Sequence, residues 1–456
     1  MSDTDTIAAI ATPPGRGGIA ITRVSGSLAL HVAQQICRLT PEPQHAYLRK
    51  FRDGDEVIDE GVVLFYKAPH SYTGEDVLEL QGHGGSAAPH RVLGAVLKIA
   101  GTRQARAGEF TQRAFLNGKL DLTQAEAVED LISSGTNSAA KAAMASLEGA
   151  FAAAVNVLND RLTEFRVKLE ACLDFPEEHE DFFDSGVAQD ELGNIRQTCS
   201  DTLAKAGQGV KLQEGARIVL VGEPNVGKSS LMNALAQKDH AIVTDIPGTT
   251  RDTLSADIEI GGVRITLTDT AGIRDDPGDE IEALGIDRAI SQIRQADLIL
   301  LLVDGSAKNP GCTVTLEKIL EITGGSPNLV VVRTKQDLNP QHELDGVLAG
   351  EPFNRFGQAG CTVRQEGGLD ELTERIKGAL DILETEGVFS ARQRHCSALK
   401  ATMEALLRAE DTLEIGDLVL CAREISIAQN NLGEITGKVT SDDILGRIFA
   451  TFCIGK

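Results

Sequence analysis

The sequence predicts an α/β and α multidomain protein. Its N-terminal part is α+β, and a P-loop domain with a parallel sheet is inserted into a helical domain. Three observations carry this expectation. Short β-like runs and tight turns fill residues 1–118. Apolar residues then recur at helical spacing from Leu120 to Cys172, and the chain turns helical again from Ala391 to Phe449. Between the two helical stretches, apolar strand candidates alternate with helix-like segments, as in a parallel sheet with helices on its faces.

In chain order, Val62–Tyr66 and Val77–Leu80 read as strands, while Pro13–Gly18 and Gly82-His83-Gly84-Gly85 read as tight loops. Residues 119–212 form the first helical part. Leu120, Leu122, Ala125, Val128, Leu131 and Ile132 make one face, Ala139–Leu158 is Ala-rich without Pro, and the pattern stops at Pro176. The acidic stretch Glu177–Asp184 reads as a solvated loop, since it lacks the spacing of a metal site. Residues 213–380 form the inserted domain, with strands at Ile218–Val221, Val263–Thr268, Leu298–Val303 and Leu329–Val332. Residues 381–456 return to helix, and the termini of an inserted domain lie close enough for the two helical parts to pack as one.

The 456 residues suggest about three domains at roughly 150 residues each. At 42% hydrophobic and 24% charged residues the composition is that of a globular protein. No apolar run approaches the ~20 residues of a membrane helix, and Asp3 and Asp5 stand where a signal sequence would be apolar. Eight scattered cysteines without a Cys-x-x-Cys pair read as reduced thiols, so a cytoplasmic protein without membrane association is expected. A net charge of −23 excludes non-specific polyanion binding by the whole surface. A nucleic-acid ligand would need a local basic patch or a partner.

Gly222-Glu223-Pro224-Asn225-Val226-Gly227-Lys228-Ser229 fits the phosphate-loop pattern, between a strand and a helix over Ser230–Ala236. Backbone N–H groups of such a turn face phosphates. Lys228 would reach the β- and γ-phosphates, and the Ser229 hydroxyl would ligate Mg²⁺. Thr249-Thr250-Arg251-Asp252 follows Gly248 in a switch-like loop, and Asp269-Thr270-Ala271-Gly272 ends a strand. In Thr334-Lys335-Gln336-Asp337 the Asp337 carboxylate could accept both guanine N–H groups, which selects guanine over adenine. Thr334 stands where Asn is usual, and a fifth guanine-contacting element is degenerate near Cys361-Thr362-Val363-Arg364. Ile273 occupies the place of a water-orienting Gln, so Glu282, Asp279 or Glu280 would orient water, unless these carboxylates simply favour a helix N-terminus. Asn225 either helps hold a monovalent cation beside the phosphates or merely favours the turn.

The chain resembles the MnmE (TrmE) family of tRNA uridine-modification GTPases from end to end. The resemblance rests on Asp5-Thr6-Ile7 with Ala11–Gly18, on Arg106-Ala107-Gly108-Glu109-Phe110-Thr111 with Ala114–Asp121, and on Phe452-Cys453-Ile454-Gly455-Lys456. It implies nucleotide contacts from Asn225 through Val226, Gly227, Lys228, Ser229 and Ser230. Thr244, Asp245, Ile246, Pro247, Gly248, Thr249 and Thr250 would add to these, with Asp269, Thr270, Ala271, Gly272, Thr334, Lys335 and Asp337. Mg²⁺ would be held by Ser229 and Thr250, and K⁺ by Asn225, the carbonyls of Thr244 and Ile246, and Thr249. Glu282 would position the attacking water, with Arg251, Asp252 and Arg274 near an interface between the G domains of a homodimer. Residues 1–118 would fold like the folate-binding part of one-carbon enzymes and dimerise. There Arg23, Glu79, Lys119 and Lys456 would bind a 5-formyl- or methylene-tetrahydrofolate, and Cys453 becomes a candidate for the modification chemistry. The implied reaction installs an aminomethyl or carboxymethylaminomethyl group at the 5-position of the wobble uridine of tRNA. A flavoprotein partner (MnmG, also called GidA) would supply FAD in a heterotetramer or larger assembly. A ribosome-assembly GTPase of the Era or Der type, or a purely regulatory GTPase, is the competing reading. Against the first stand the lack of a second phosphate loop and the acidic, helical residues after 380, and against the second the Arg106–Asp121 block and the Cys-Ile-Gly-Lys tail.

Overall fold

The computed structural model describes residues 5–175, 186–238, 255–269, 280–306, 312–338, 348–383, 387–438 and 442–455, with only the backbone for 238, 280–286, 442–444 and 447. It divides into two compact units. One comprises residues 1–129, 146–200 and 397–456, the other 130–145 and 201–396.

The first unit is built on a six-stranded sheet of order β3-β4-β5-β2-β1-β6. Its strands are β1 (Thr6–Ile10), β2 (Ile19–Ser25), β3 (Tyr47–Asp53), β4 (Glu56–Tyr66), β5 (Val77–His83) and β6 (Thr102–Gln104). All pairings are antiparallel except β1 with β6. Helices α1 (Ala29–Cys37) and α2 (Ala88–Leu97) bury Val32, Ala33, Ile36, Val92 and Val96 against Ala8, Val24, Leu78 and Leu80 on one face. Strand alternation sends Ile7 and Ala9 to the other face, where Phe110 of α3 (Glu109–Leu116) covers them. That cover is partial. Ile19 and Leu48 on the same face are 66% and 65% exposed, and Ile21, Val62 and Leu64 are half-exposed.

The expected loop at Gly82-His83-Gly84-Gly85 begins two residues later, because Gly82 and His83 complete β5. A Cβ on Gly82 would lie 2.3 Å from Asp59 Oδ2, and the His83 N–H donates to that carboxylate at 2.9 Å. Glycine is needed here for close approach and not for a turn. The Ala-rich stretch 139–158 is likewise two helices. Gly149 at φ +95° separates α5 (Asn137–Leu147) from α6 (Ala150–Asp174), whose Phe151, Val155, Leu158, Leu162, Phe165 and Leu169 are buried. The helices α4 (Leu122–Ser133), α7 (Val187–Glu214), α12 (Gln393–Glu414), α13 (Leu418–Thr436) and α14 (Asp442–Ala450) supply the rest of the helical structure. Within this unit Arg196 pairs with Glu410, and Cys199 donates to the Leu399 carbonyl. Among the described residues no single helix is long and apolar enough to cross a membrane.

The second unit holds the sheet β12-β11-β10-β7-β9-β8. Its strands are β7 (Ala216–Gly222), β8 (Ser255–Ile260), β9 (Val263–Asp269), β10 (Leu298–Asp304), β11 (Leu329–Thr334) and β12 (Gly357–Gly360). Only β8 runs antiparallel. Leu298–Val303 is buried along its whole length, as a central parallel strand must be. Helices α8 (Lys228–Lys238), α9 (Glu280–Gln295), α10 (Cys312–Thr323) and α11 (Asp370–Ala379) belong to it, as does most of α5, whose Ala139 and Ala142 join its core. The C-terminal ends of β7, β9, β10 and β11 lie side by side, where open α/β sheets bind ligands.

Candidate functional site

The turn from β7 to α8 carries the phosphate-loop sequence. Asn225 and Gly227 adopt φ of +64° and +104°, so the backbone curls before the helix begins at Lys228. Gly222 is required for packing: a Cβ there would lie 2.7 Å from the Leu302 carbonyl. Lys228 Nζ donates to the carbonyls of Gly222 and Glu223 at 2.8 and 3.0 Å and so lies across the turn. Burial pushes its amine down, partly offset by Asp269. The Asp269 carboxyl is pushed up by burial against the opposing pull of Lys228 and the Ser229 bond.

Ser229 Oγ donates to Asp269 Oδ2 at 3.3 Å, while the buried Asp269 Oδ1 has no hydrogen-bond partner among the described residues. A hydroxyl beside an unsatisfied carboxylate oxygen, at a turn of backbone N–H groups, fits a hydrated divalent cation carried by a phosphate chain. No cluster of three or more His, Cys, Asp or Glu is assembled among the described residues.

A cavity of about 330 Å³ opens beside the turn, lined by Gly227, Ser230, Thr334, Lys335, Asp337 and Arg364 among others. Thr334 is buried, and its hydroxyl donates to the Val226 carbonyl at 2.6 Å and the Val303 carbonyl at 3.2 Å. The threonine therefore ties the loop after β11 to the phosphate loop. Lys335 Nζ donates to the Asn225 carbonyl at 3.0 Å and to Asp304 Oδ2 at 2.5 Å. Asp337 accepts from Thr362 Oγ1 at 3.0 Å and lies 4.0 Å from the Arg364 guanidinium. The degenerate segment at Cys361–Arg364 thus does reach the cavity, through Cys361, Val363 and Arg364. Burial pushes the Cys361 thiol up to about 12, which makes it inert lining.

In the first unit, Arg23 and Glu79 face each other across β2 and β5 and are bonded at 3.0 Å. The guanidinium lies over the rings of Tyr72 and Phe110, 5.5 and 5.8 Å from their centroids. Tyr72 is fixed through Thr111 at 2.8 Å. Lys119 Nζ donates to the Pro69 carbonyl at 3.1 Å, and its stem rests on Gly74. Arg23, over the Tyr72 ring, and Lys119, at Pro69 and Gly74, therefore both touch the loop over residues 69–74, while Glu79 holds Arg23. This set of cations, carboxylate and ring faces fits a flat heterocycle bearing an acidic tail. Cys453 is exposed, and the other seven cysteines are buried.

Models of two protein families match the chain: the MnmE helical domain over residues 122–453 and the GTP-binding protein TrmE N-terminus over 6–119. The tRNA modification GTPase MnmE of Pectobacterium carotovorum subsp. carotovorum (strain PC1) is 44% identical over 469 aligned residues, which span all of both chains. The chain belongs to the MnmE family of tRNA-modification GTPases. Two solved structures share part of it. The G domain of the T. maritima FeoB iron transporter is 25% identical, covers 36% of this chain and 98% of its own, and has a TM-score of 0.28. An Aquifex aeolicus Era variant bound to GDP and AlF4⁻ is 22% identical over 42% of this chain and 67% of its own, with a TM-score of 0.29. The assignment to MnmE rests on the whole-chain relative and the family models.

In this MnmE-family chain several expected site residues lie outside the described residues. These are Thr244, Asp245, Ile246, Pro247, Gly248, Thr249, Thr250, Arg251, Asp252, Thr270, Ala271, Gly272, Arg274, Asp279 and Lys456; Glu280 and Glu282 are described in α9 by backbone alone. Sequence reasoning missed Asp304 and the aromatic pair Tyr72 and Phe110. Asp304 had a signal: it is the lone acid ending the most apolar strand of the chain. Phe110 stood in the Arg106–Thr111 motif without an assigned role, and Tyr72 had no signal, because its partner Arg23 is far away in sequence.

Proposed function

We propose that GTP lies with its base in the 330 Å³ cavity and its phosphates along residues 223–229. Asp337 would accept the guanine N–H groups, Lys228 would turn from the Gly222 and Glu223 carbonyls to the β- and γ-phosphates, and Ser229 with Thr250 would hold Mg²⁺. Mg²⁺, when bound, neutralises charge developing on the phosphate oxygens. Water attacks the γ-phosphorus, the bond to the β-phosphate oxygen breaks, and GDP and phosphate leave. Glu282 orients that water. Asn225 is held in a left-handed backbone conformation, and its side chain has no hydrogen-bond partner among the described residues. This suits it to ligate K⁺ with Thr244, Ile246 and Thr249. Such a cation would supply the positive charge that an arginine finger gives elsewhere.

The observation that carries the nucleotide reading is the unsatisfied Asp269 oxygen beside Ser229. Steady-state GTP hydrolysis in KCl and in NaCl at equal ionic strength, with an Asn225→Ala control, tests the K⁺ part. A K⁺-dependent rate that the variant loses supports it, and equal slow rates in both salts refute it.

The Arg23–Glu79 pocket would bind a formyl- or methylene-tetrahydrofolate, with Lys119 and Lys456 toward its glutamate tail. The one-carbon unit would pass to the 5-position of the wobble uridine, with Cys453 in the modification chemistry. A flavoprotein partner, MnmG, would carry FAD in a heterotetramer or larger assembly in the cytoplasm. Homodimerisation suits the uncovered sheet face at Ile19, Ile21, Leu48, Val62 and Leu64. Residues 1–118 carry 12 Lys+Arg and 12 Asp+Glu, so the whole charge of −23 falls on the rest of the chain. That distribution directs tRNA to the N-terminal part or to the partner. The domain division 1–118, 119–212, 213–380 and 381–456 belongs to the same reading.

A further inference from the structure

Glu109 accepts from three arginines, and nothing in the reactions above employs it. Its side chain is 1% exposed. It accepts from Arg103 Nη1 and Nη2 at 2.9 and 2.6 Å, from the Arg106 backbone N–H at 2.8 Å, and from Arg106 and Arg113 side chains at 3.3 and 3.4 Å. Its own N–H donates back to the Arg106 carbonyl at 3.3 Å. This reciprocal pair closes the loop Arg106-Ala107-Gly108 from both ends, as a capping box closes a helix start.

The loop so fixed receives the C-terminal segment. Ala107 forms an antiparallel bridge with Ile454, and the Gly108 N–H donates to the Cys453 carbonyl at 3.3 Å. Gly108 stands at φ +64°, and a Cβ on it would lie 2.6 Å from the Phe449 carbonyl and 2.9 Å from Phe452 Cβ. Phe110, which follows Glu109, carries the ring under Arg23. One short segment thus meets the tail through Ala107 and Gly108 and meets the Arg23 guanidinium through Phe110. The rival account is that Phe449 and Phe452, packed with Leu122 and Ala125, hold the tail without help.

We propose that Glu109 is a positioning residue: by fixing the loop over residues 106–108 it clamps the C-terminal segment that carries Cys453. The use of that placement rests on the one-carbon reading, but the clamp itself does not. Arg113 is buried and retains Glu75 as a second partner, while Arg103 retains Asp5. These two cations therefore keep a carboxylate when Glu109 is removed, and the Arg106 side chain is exposed to solvent.

Because Cys453 is the exposed cysteine among eight, a nitroxide attached to the full-length protein reports the tail without other cysteine changes. Label mobility is compared in wild type, Glu109→Ala, Glu109→Asp and Gly108→Ala, with thermal unfolding and GTP hydrolysis measured on each. The expected result is a restricted label in wild type, a mobile one in Glu109→Ala and Gly108→Ala, an intermediate one in Glu109→Asp, and unchanged GTP hydrolysis throughout. Folded Glu109 variants with a label as restricted as in wild type overturn the clamp in favour of the phenylalanine cluster. Should Glu109→Ala fail to fold, the charge-retaining Glu109→Asp decides by the same criterion. Binding of 5-formyltetrahydrofolate to wild type is measured in parallel. Its absence overturns the folate reading and leaves the clamp standing.

Discussion

The phosphate loop and the Arg23 pocket are built in opposite ways. Asn225, Gly227, Lys228 and Ser229 are neighbours in sequence, and one strand–turn–helix passage sets their geometry. Arg23, Tyr72, Glu79, Phe110 and Lys119 come from five places, and only the pairing of β2 with β5 and the docking of α3 bring them together. A site encoded in one turn tolerates change elsewhere in its domain. A site assembled across a sheet depends on register, since a one-residue slip would turn Glu79 to the opposite face.

Four measurements press on that contrast. Lys228→Ala should lower kcat for GTP hydrolysis by roughly 10²–10³-fold, because it removes a charge aimed at the phosphates while leaving the turn intact. A smaller loss would move the site away from this turn. Arg23→Ala should weaken tetrahydrofolate binding by roughly 10–100-fold in calorimetry, the worth of a charge-assisted contact. It should leave GTP hydrolysis unchanged, and a parallel loss of both would contradict two separately built sites.

Thr334→Val should lower stability by about 1–3 kcal/mol in urea unfolding, since the buried Val226 and Val303 carbonyls lose their donor. Nucleotide affinity should fall with it, because the tie between the two loops is lost. The smallest effect concerns acid stability. The Arg103 guanidinium and the Arg106 N–H overcome the cost of burial and hold the Glu109 carboxyl at about 2, below its ordinary 4.5. A depressed folded-state value means stability that is present above pH 4.5 and lost as pH falls toward 2. Wild type should lose stability across that window, and Glu109→Gln should show a flatter acid limb.

Much of the second unit was legible because parallel strands announce themselves. Leu298–Val303 is a continuous apolar run, and the motif residues stand at the strand ends. The first unit was less legible. β4 begins at Glu56, six residues before its apolar core, because its outer half pairs with β3 through charged and exposed side chains. The β5 extension through Gly82 was hidden, since a glycine for close approach looks the same in sequence as one for a turn. Thr334 shows the same limit at a single residue. In sequence it is a departure from the usual Asn, yet its hydroxyl joins the two loops of the site.

The sequence by itself determined the phosphate loop, the base-contacting segment, the helical stretches and the family. These features are local: period, spacing and turn chemistry act within a few residues of the chain. Tertiary structure alone decided that Tyr72 and Phe110 flank Arg23, that Asp304 anchors Lys335, and that Glu109 fixes the loop on which Cys453 rests. Those contacts depend on strand register and on burial that removes competing water, and neither is written in any single stretch of chain.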